Sequence, residues 1–254
     1  MCLMAIALDS HSRYRLILAA NRDEYFQRPT APASFWEDAP QLLAGRDLQA
    51  GGSWLGVSTE GRLAAVTNYR EPQRHGQHRR SRGRMVTDFL AGNIPPQAYL
   101  ETIRGQGEQY GGFNLIVGDR EGLFYYSNRG VAPSRISPGI HGLSNHLLDT
   151  PWPKVVAARE RLQRLLRDDT PEPEALFALL SDTATFPDQL LPDTGVGPER
   201  ERLLSSLFIA GSDYGTRSSS IVLIDRENRI TFMERSYDEN HAATGTVCHT
   251  LPGS

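Results

Sequence analysis

Residues 3–8 read Leu-Met-Ala-Ile-Ala-Leu, with no polar side chain among them. Successive side chains of a strand point to opposite faces, so such a strand is apolar on both faces and both must be covered. Ile-Val-Leu-Ile at 221–224 makes the same demand near the other end of the chain. A sheet with one wet face satisfies neither. Around these runs the sequence lays out four hairpins. They pair 3–8 with 16–20, 51–57 with 62–68, 113–118 with 123–127, and 218–225 with 229–235, each across a polar or Gly-containing turn. A further strand is expected at 140–144.

Helical spacing falls between the hairpins. Met85, Val86, Phe89 and Leu90 share a face that stops at Gly92, and a second helix is expected over 95–104. Pro151 opens a third, with Val155, Ala158, Leu162, Leu165 and Leu166 on one side. A fourth, 171–181, follows the cap Thr170 with Glu172 and Glu174 in its first turn. Two antiparallel sheets packed face to face, with helices outside each, meet all these requirements. The expectation is an α+β fold, a four-layer αββα sandwich, as one domain over 1–254. Residues 27–50 read as an extended surface segment, 191–201 as a loop, and the chain after Asn240 as a loose polar tail.

Apolar residues make up 39 % and charged residues 22 %, enough to bury a large core. A net charge of −3 gives no general attraction to nucleic acid or to an anionic membrane surface. The longest apolar run, 1–8, is too short to span a bilayer, so stable membrane insertion is not expected. Two cysteines, Cys2 and Cys248, make no disulfide scaffold and suit a reducing compartment. With no secretory leader pattern, the expected location is cytoplasmic. No Walker loop, dinucleotide glycine fingerprint or Gly-x-Ser-x-Gly elbow occurs.

Cys2 carries the most specific chemistry. If Met1 is removed, a thiol and a free α-amine share one carbon, with reference pKa values near ~8.5 and ~8. The amine can then take the thiol proton, which makes a nucleophile with its base built in. The alternative for a lone cysteine is a small buried apolar residue.

The sequence resembles the NRDE family, also called the transport-and-Golgi-organisation type 2 family. The resemblance rests on Met1-Cys2, Asn21-Arg22-Asp23-Glu24, Gly-Ser-Trp-Leu-Gly at 52–56, Thr67-Asn68-Tyr69-Arg70, Ser81-Arg82-Gly83, Leu143-Ser144-Asn145 and Tyr214-Gly215-Thr216-Arg217-Ser218. That family is similar to the amino-terminal nucleophile hydrolases of the penicillin V acylase and bile salt hydrolase branch. The resemblance implies the four-layer fold, which the hairpin count supports independently. It implies Cys2 as nucleophile, Asp23 holding the α-amine, Asn68 and Asn145 shaping the oxyanion environment, and Arg217 beside the thiolate. One position departs: the acylases carry Arg two residues ahead of Arg22, where this chain has Ala20. Arg22 can stand in only if the strand continues through it.

Asn21, Trp54, Arg70 and Arg82 lie within the matching motifs as candidate ligand contacts. The loop 70–84 holds six arginines and two histidines, and reads as a solvated basic loop or as a binder of carboxylate or phosphate groups. His75 with His78, and His141 with His146, have metal-like spacing but no clustered cysteine or acidic partner, so no metal is expected. Two functions stand open. One is a hydrolase of an acyl amide or thioester. The other is a non-catalytic carrier, with haem or an acylated lipid as cargo in the same pocket, since the resemblance implies haem trafficking or lipid homeostasis. Neither requires a cofactor, and the partner in both is a small acyl ligand or haem.

Overall fold

A computed structural model describes residues 3–74, 80–167 and 171–253. The first half of the chain forms β1 (Leu3–Leu8), β2 (Tyr14–Tyr25), β3 (Thr30–Trp36), β4 (Ala39–Asp47), β5 (Leu55–Ser58) and β6 (Leu63–Asn68). Two helices follow, α1 (Gly83–Ala91) and α2 (Pro96–Arg104), and then β7 (Phe113–Gly118), β8 (Leu123–Ser127), β9 (Ser134–Arg135) and β10 (Gly139–Leu143). Helices α3 (Pro153–Leu165), α4 (Pro173–Leu180) and α5 (Pro198–Leu203) lead to β11 (Tyr214–Asp225), β12 (Ile230–Tyr237) and β13 (Ala243–Leu251).

The strands make two antiparallel sheets. One runs β10-β1-β2-β11-β12-β13 and the other β3-β4-β5-β6-β7-β8-β9. Alternation along β1 explains why its apolar run is unbroken. Met4 and Ile6 enter the core between the sheets with Leu18, Leu55, Ala65 and Phe232. Leu3, Ala5 and Ala7 point the other way, onto Ala158 and Leu162 of α3 and Leu176 and Leu180 of α4. Met85, Val86, Phe89 and Leu90 of α1, with Tyr99, Leu100 and Ile103 of α2, cover the outer face of the second sheet. The order of layers is therefore helix, sheet, sheet, helix, as the two-faced strands require.

Four expectations need correction. Residues 27–50 are not a surface segment but the hairpin β3–β4 at the edge of the second sheet. Its Ala33, Leu42, Leu43 and Ala44 are buried, and Pro32 is tolerated because edge strands leave N–H positions free of the ladder. The second strand does not end at residue 20 but runs on through Asn21-Arg22-Asp23-Glu24, because β2 pairs with β11 as far as Tyr25. Residues 198–203 form a short helix opened by Pro198, which starts within the expected loop. The tail after Asn240 is the edge strand β13, registered on β12 from Tyr237↔Ala243 to Ile230↔Leu251. Thr170, His75 and His78 lie outside the described residues. Among those described, no helix is long and apolar enough to cross a membrane.

Candidate active site

The amino-terminal end of β1 sits between two loaded strands. Leu3, its first described residue, pairs with Asn21 of β2, and Met4 pairs with Leu143 of β10. Beyond these pairs β2 continues into Arg22 and Asp23, while β10 runs out into Ser144 and Asn145. Asp23 and Asn145 thus flank the start of β1 from its two sides. Cys2 lies outside the described residues.

Alternation places Arg22 and Asp23 on opposite faces of β2. Arg22 follows Leu18 and Ala20 into the space between the sheets, so the Ala20 departure is absorbed by a strand that continues. Its guanidinium carbon lies 4.2 Å from the ring centre of Trp54. Its Nη1 is buried and finds no hydrogen-bond acceptor among the described residues. Burial pulls its pKa down, opposed by the charges of Glu24, Asp47 and Glu234. An arginine remains a cation under such a shift, so a positive charge is held here against the cost of burying it. Asp23, on the other face, accepts a 2.7 Å hydrogen bond from Thr216 Oγ1 through Oδ1. Thr216 pairs directly with Asp23, and the register slips between Thr216 and Ser218.

Arg217 is the residue at that slip. The bulge turns its side chain off the ladder. Its Nη1 donates to the carbonyls of Tyr25, Phe26 and Arg28 at 2.9, 3.1 and 3.1 Å. Arg217 also walls a cavity of about 280 Å³ with Trp54, Pro32, Ser218, Glu234 and Tyr237. The indole Nε1 of Trp54 and the Nε of Arg217 are buried with no acceptor among the described residues.

Glu234 is the residue that the sequence reading missed. It follows Ile230 and Phe232 on the inter-sheet face of β12, where an acidic side chain breaks an apolar alternation, and that break was the available signal. Its Oε1 accepts from the Ala33 amide of the facing sheet at 2.8 Å, and its Oε2 from Ser220 Oγ at 3.1 Å. Desolvation raises its pKa against these hydrogen bonds and the charge of Arg22.

Asn145 lies in a second group. Its Nδ2 donates to the Asn68 carbonyl at 3.1 Å and its Oδ1 accepts from Arg70 Nη2 at 3.3 Å. Arg70 also pairs with Glu201 at 2.8 Å and returns its own amide to the Asn145 carbonyl at 2.7 Å. The Arg70 guanidinium, expected as a ligand contact, holds Asn145 and Glu201. Asn68 contributes its carbonyl to this group, while the residue itself is exposed at the end of β6.

Asn21, expected as a ligand contact, faces away from the inter-sheet space. Wholly buried toward the helices, it donates to the Leu180 and Leu207 carbonyls at 2.9 and 2.8 Å and accepts from Ser219 at 2.6 Å. Arg82 stands at the start of α1 and donates to the Gly112 carbonyl at 3.1 Å, apart from the Arg22 cluster.

His141 and His146 hold different partners. His141 faces Asp149 at 2.7 Å, and His146 lies between the Tyr69 hydroxyl at 2.7 Å and Thr150 at 2.9 Å. Among the described residues no three His, Cys, Asp or Glu are grouped to share a metal ion.

A family model, Transport and Golgi organisation 2, matches residues 1–239. The chain belongs to the Transport and Golgi organisation 2 family. The human Transport and Golgi organization protein 2 homolog is 39 % identical over 99 % of both chains. Beyond this family, the fold is similar to that of a Caenorhabditis elegans ortholog of N-acylethanolamine-hydrolyzing acid amidase, with a TM-score of 0.54. That likeness covers 87 % of this chain and 92 % of the other at 12 % identity. A mutant conjugated bile acid hydrolase from Clostridium perfringens matches at a TM-score of 0.51 and 8 % identity, over 99 % of this chain and 92 % of the other. At such identities the likeness shows the fold alone. This member of the Transport and Golgi organisation 2 family therefore has the sandwich of the amino-terminal nucleophile hydrolases.

Proposed function

We propose that this protein is a hydrolase that uses Cys2 as nucleophile on an acyl amide or thioester. The observation that carries the reading is the flanking of the start of β1 by Asp23 and Asn145, with the buried cation of Arg22 beside it. With Met1 removed, Asp23 would hold the freed α-amine and Arg22 would favour the Cys2 thiolate. The thiolate attacks the acyl carbon and forms a thioester. The amine passes the thiol proton to the departing nitrogen or sulfur, and water then releases the acid and restores the thiol. Asn145 gives one Nδ2 hydrogen to the Asn68 carbonyl, which leaves the other for a developing oxyanion; such a donor is typically worth ~3–4 kcal/mol. The solved structures of similar shape carry the names amidase and hydrolase, which agrees with this chemistry.

The test is the intact mass of untagged protein before and after a thiol electrophile. Cys248, exposed on β13, is the internal reference thiol. Loss of Met1 and labelling at Cys2 much faster than at Cys248, abolished in Cys2→Ala, is the expected result. Retained Met1, or a Cys2 no faster than Cys248, would sink the hydrolase.

One observation favours a second reading, a carrier of haem or an acylated lipid. Arg217 spends Nη1 on three carbonyls and Asn145 is engaged by Arg70 and Asn68, which suits residues that shape a pocket. At about 280 Å³ the cavity beside Trp54 lies near the lower end of ligand pockets, ~300–1,000 Å³. A Soret band on haem titration, lost on altering the pocket, would favour the carrier.

A further inference from the structure

The opposite end of the sandwich, where the hairpins turn, holds a cavity of about 310 Å³. Its floor is the mouth of the inter-sheet core: Leu8, Leu16, Leu63, Leu123, Ile136 and Ile224. Two arginines stand over it on one turn. Arg15 of β2 donates to the carbonyls of Arg120 and Asp119 at 3.1 and 3.2 Å. Arg135 of β9 donates to the Glu121 carbonyl at 2.5 Å from the other side. Both guanidiniums are therefore anchored on neutral carbonyls. Among the described residues, neither has a carboxylate within the 4.0 Å of an ion pair. Asp9, the residue after β1, is taken by Arg226 at 2.6 Å. The Nε of Arg15 is buried and finds no acceptor among the described residues. Burial lowers the Arg15 pKa, Arg120 and Arg226 add to the effect, and Asp9 and Asp119 oppose it.

We propose that this cavity binds a medium-chain aliphatic carboxylate, with its alkyl body on the leucine–isoleucine floor and its head group on Arg15 and Arg135. The floor is apolar and offers nothing to a polar ligand. The two guanidiniums supply fixed N–H donors that no carboxylate occupies in an ion pair among the described residues, which match a carboxylate in geometry and sign, although Asp9, Asp119 and Glu121 also line the cavity. A cavity of about 310 Å³ lies at the lower end of ligand pockets, ~300–1,000 Å³, so an alkyl chain of modest length fits it and octanoate is the probe. This site is at the other pole from Arg22 and Asn145, so it does not depend on the chemistry of Cys2.

Calorimetric titration of the full chain with octanoate, 1-octanol and acetate tests it, in the wild type, Arg15→Gln, Arg135→Gln and Trp54→Phe. Octanoate should bind about tenfold tighter than octanol, as two charge-assisted hydrogen bonds allow. Acetate, lacking the body, should not bind measurably. The preference for octanoate should fall to about threefold or less in Arg15→Gln and in Arg135→Gln, with one charged contact removed, and stay intact in Trp54→Phe. Arg135 lies on a short exposed strand, so its replacement keeps the fold even if that of Arg15 does not. Equal binding of octanoate and octanol, no binding of either, or a preference lost in Trp54→Phe but kept in Arg135→Gln would overturn the assignment.

Discussion

Arg22 and Trp54 meet between the two sheets, guanidinium carbon to ring centre 4.2 Å, with only 4 % and 5 % of their surfaces exposed. The pair joins the Asn21–Glu24 segment to the Gly-Ser-Trp-Leu-Gly segment, one from each sheet. A desolvated cation–π contact is worth ~2 kcal/mol, a modest return for burying a charge. A charge kept in such a place is better explained by what it does to its neighbours than by stability.

Gly45 sets the position of that indole. A Cβ built on Gly45 would lie 2.3 Å from Trp54 Cζ2 and Cη2, so the ring occupies the space that a side chain would need. Gly45→Ala is expected to push Trp54 away from Arg22 and to cost about 1–3 kcal/mol, as overpacking usually does. Urea denaturation gives the cost, and the tryptophan emission spectrum reports the displaced ring. A variant as stable as the wild type with unchanged emission would show that the pair does not depend on the missing Cβ.

Glu234 gives a pH dependence of known sign. Its folded-state pKa lies above the unfolded value because burial penalises the carboxylate. The folded state therefore binds the proton more tightly than the unfolded chain does. That contribution is fully present below the unfolded pKa and is lost as pH rises through the folded one. Glu234→Gln removes the titration. The variant should gain stability relative to the wild type as pH rises above ~4.5, the ordinary glutamate range. Denaturation midpoints of the two proteins at several pH values decide it; a constant difference counts against the shift.

The physical reasons that made much of the fold legible also explain what was not. An apolar run such as Leu3–Leu8 can only be a strand covered on both faces, and Met85, Val86, Phe89 and Leu90 can share a face only in a helix. The strand β3 carries Pro32 and a broken burial pattern, because an edge strand needs neither full pairing nor alternation. The strand β13 is polar and mostly exposed, and its pairing with β12, with Val247 and Leu251 reaching the core, decides that it forms. At the site, Asn21-Arg22-Asp23-Glu24 looks like a turn because four polar residues rarely continue a buried strand. Here the polar side chains replace core contacts with hydrogen bonds across β11 and to α4. Glu234 escaped notice because its partners, Ala33, Ser220 and Arg22, come from strands far apart in sequence.

Asn21 is predicted to be a structural residue. Its amide ties β2 to the end of α4 through Leu180, to the segment before β11 through Leu207, and to Ser219. Asn21→Ala leaves two buried carbonyls and a hydroxyl without this partner, at a cost of roughly 3 kcal/mol or more. Reactivity of Cys2, normalised to the folded fraction, should change less than in Arg22→Gln. Thermal melts and electrophile labelling of the two variants separate the roles. If Asn21→Ala keeps its melting temperature but loses reactivity, Asn21 belongs to the chemistry after all.

The last prediction concerns His141 and Asp149, beside the Ser144–Asn145 segment. His141 Nδ1 faces Asp149 Oδ2 at 2.7 Å and its Nε2 faces the Ser137 carbonyl at 2.9 Å. Both partners accept, so both ring nitrogens must donate, which is the form of the charged imidazolium. The hydrogen bond to Asp149 is the largest cause holding the His141 pKa above its ordinary value. Asp149 is held below the usual carboxylate range: its hydrogen bonds with His141 and the Gly142 amide, with the charges of His141 and Arg159, outweigh its desolvation. The pair therefore stabilises the fold between the two ordinary values, ~3.8 and ~6.5. Its contribution falls away as pH drops through the folded Asp149 pKa or rises through the folded His141 pKa. Asp149 has a positive φ of 60°, a conformation that asparagine adopts readily. Asp149→Asn thus removes the charge without straining the backbone. The loss should reach about 1 kcal/mol near pH 5–6, since the pair is partly exposed, and shrink toward pH 8–9. Denaturation curves across that range measure it, and an imidazole titration followed by NMR should show His141 losing its proton at lower pH in the variant. An unchanged His141 titration would mean that Asp149 does not hold the charge.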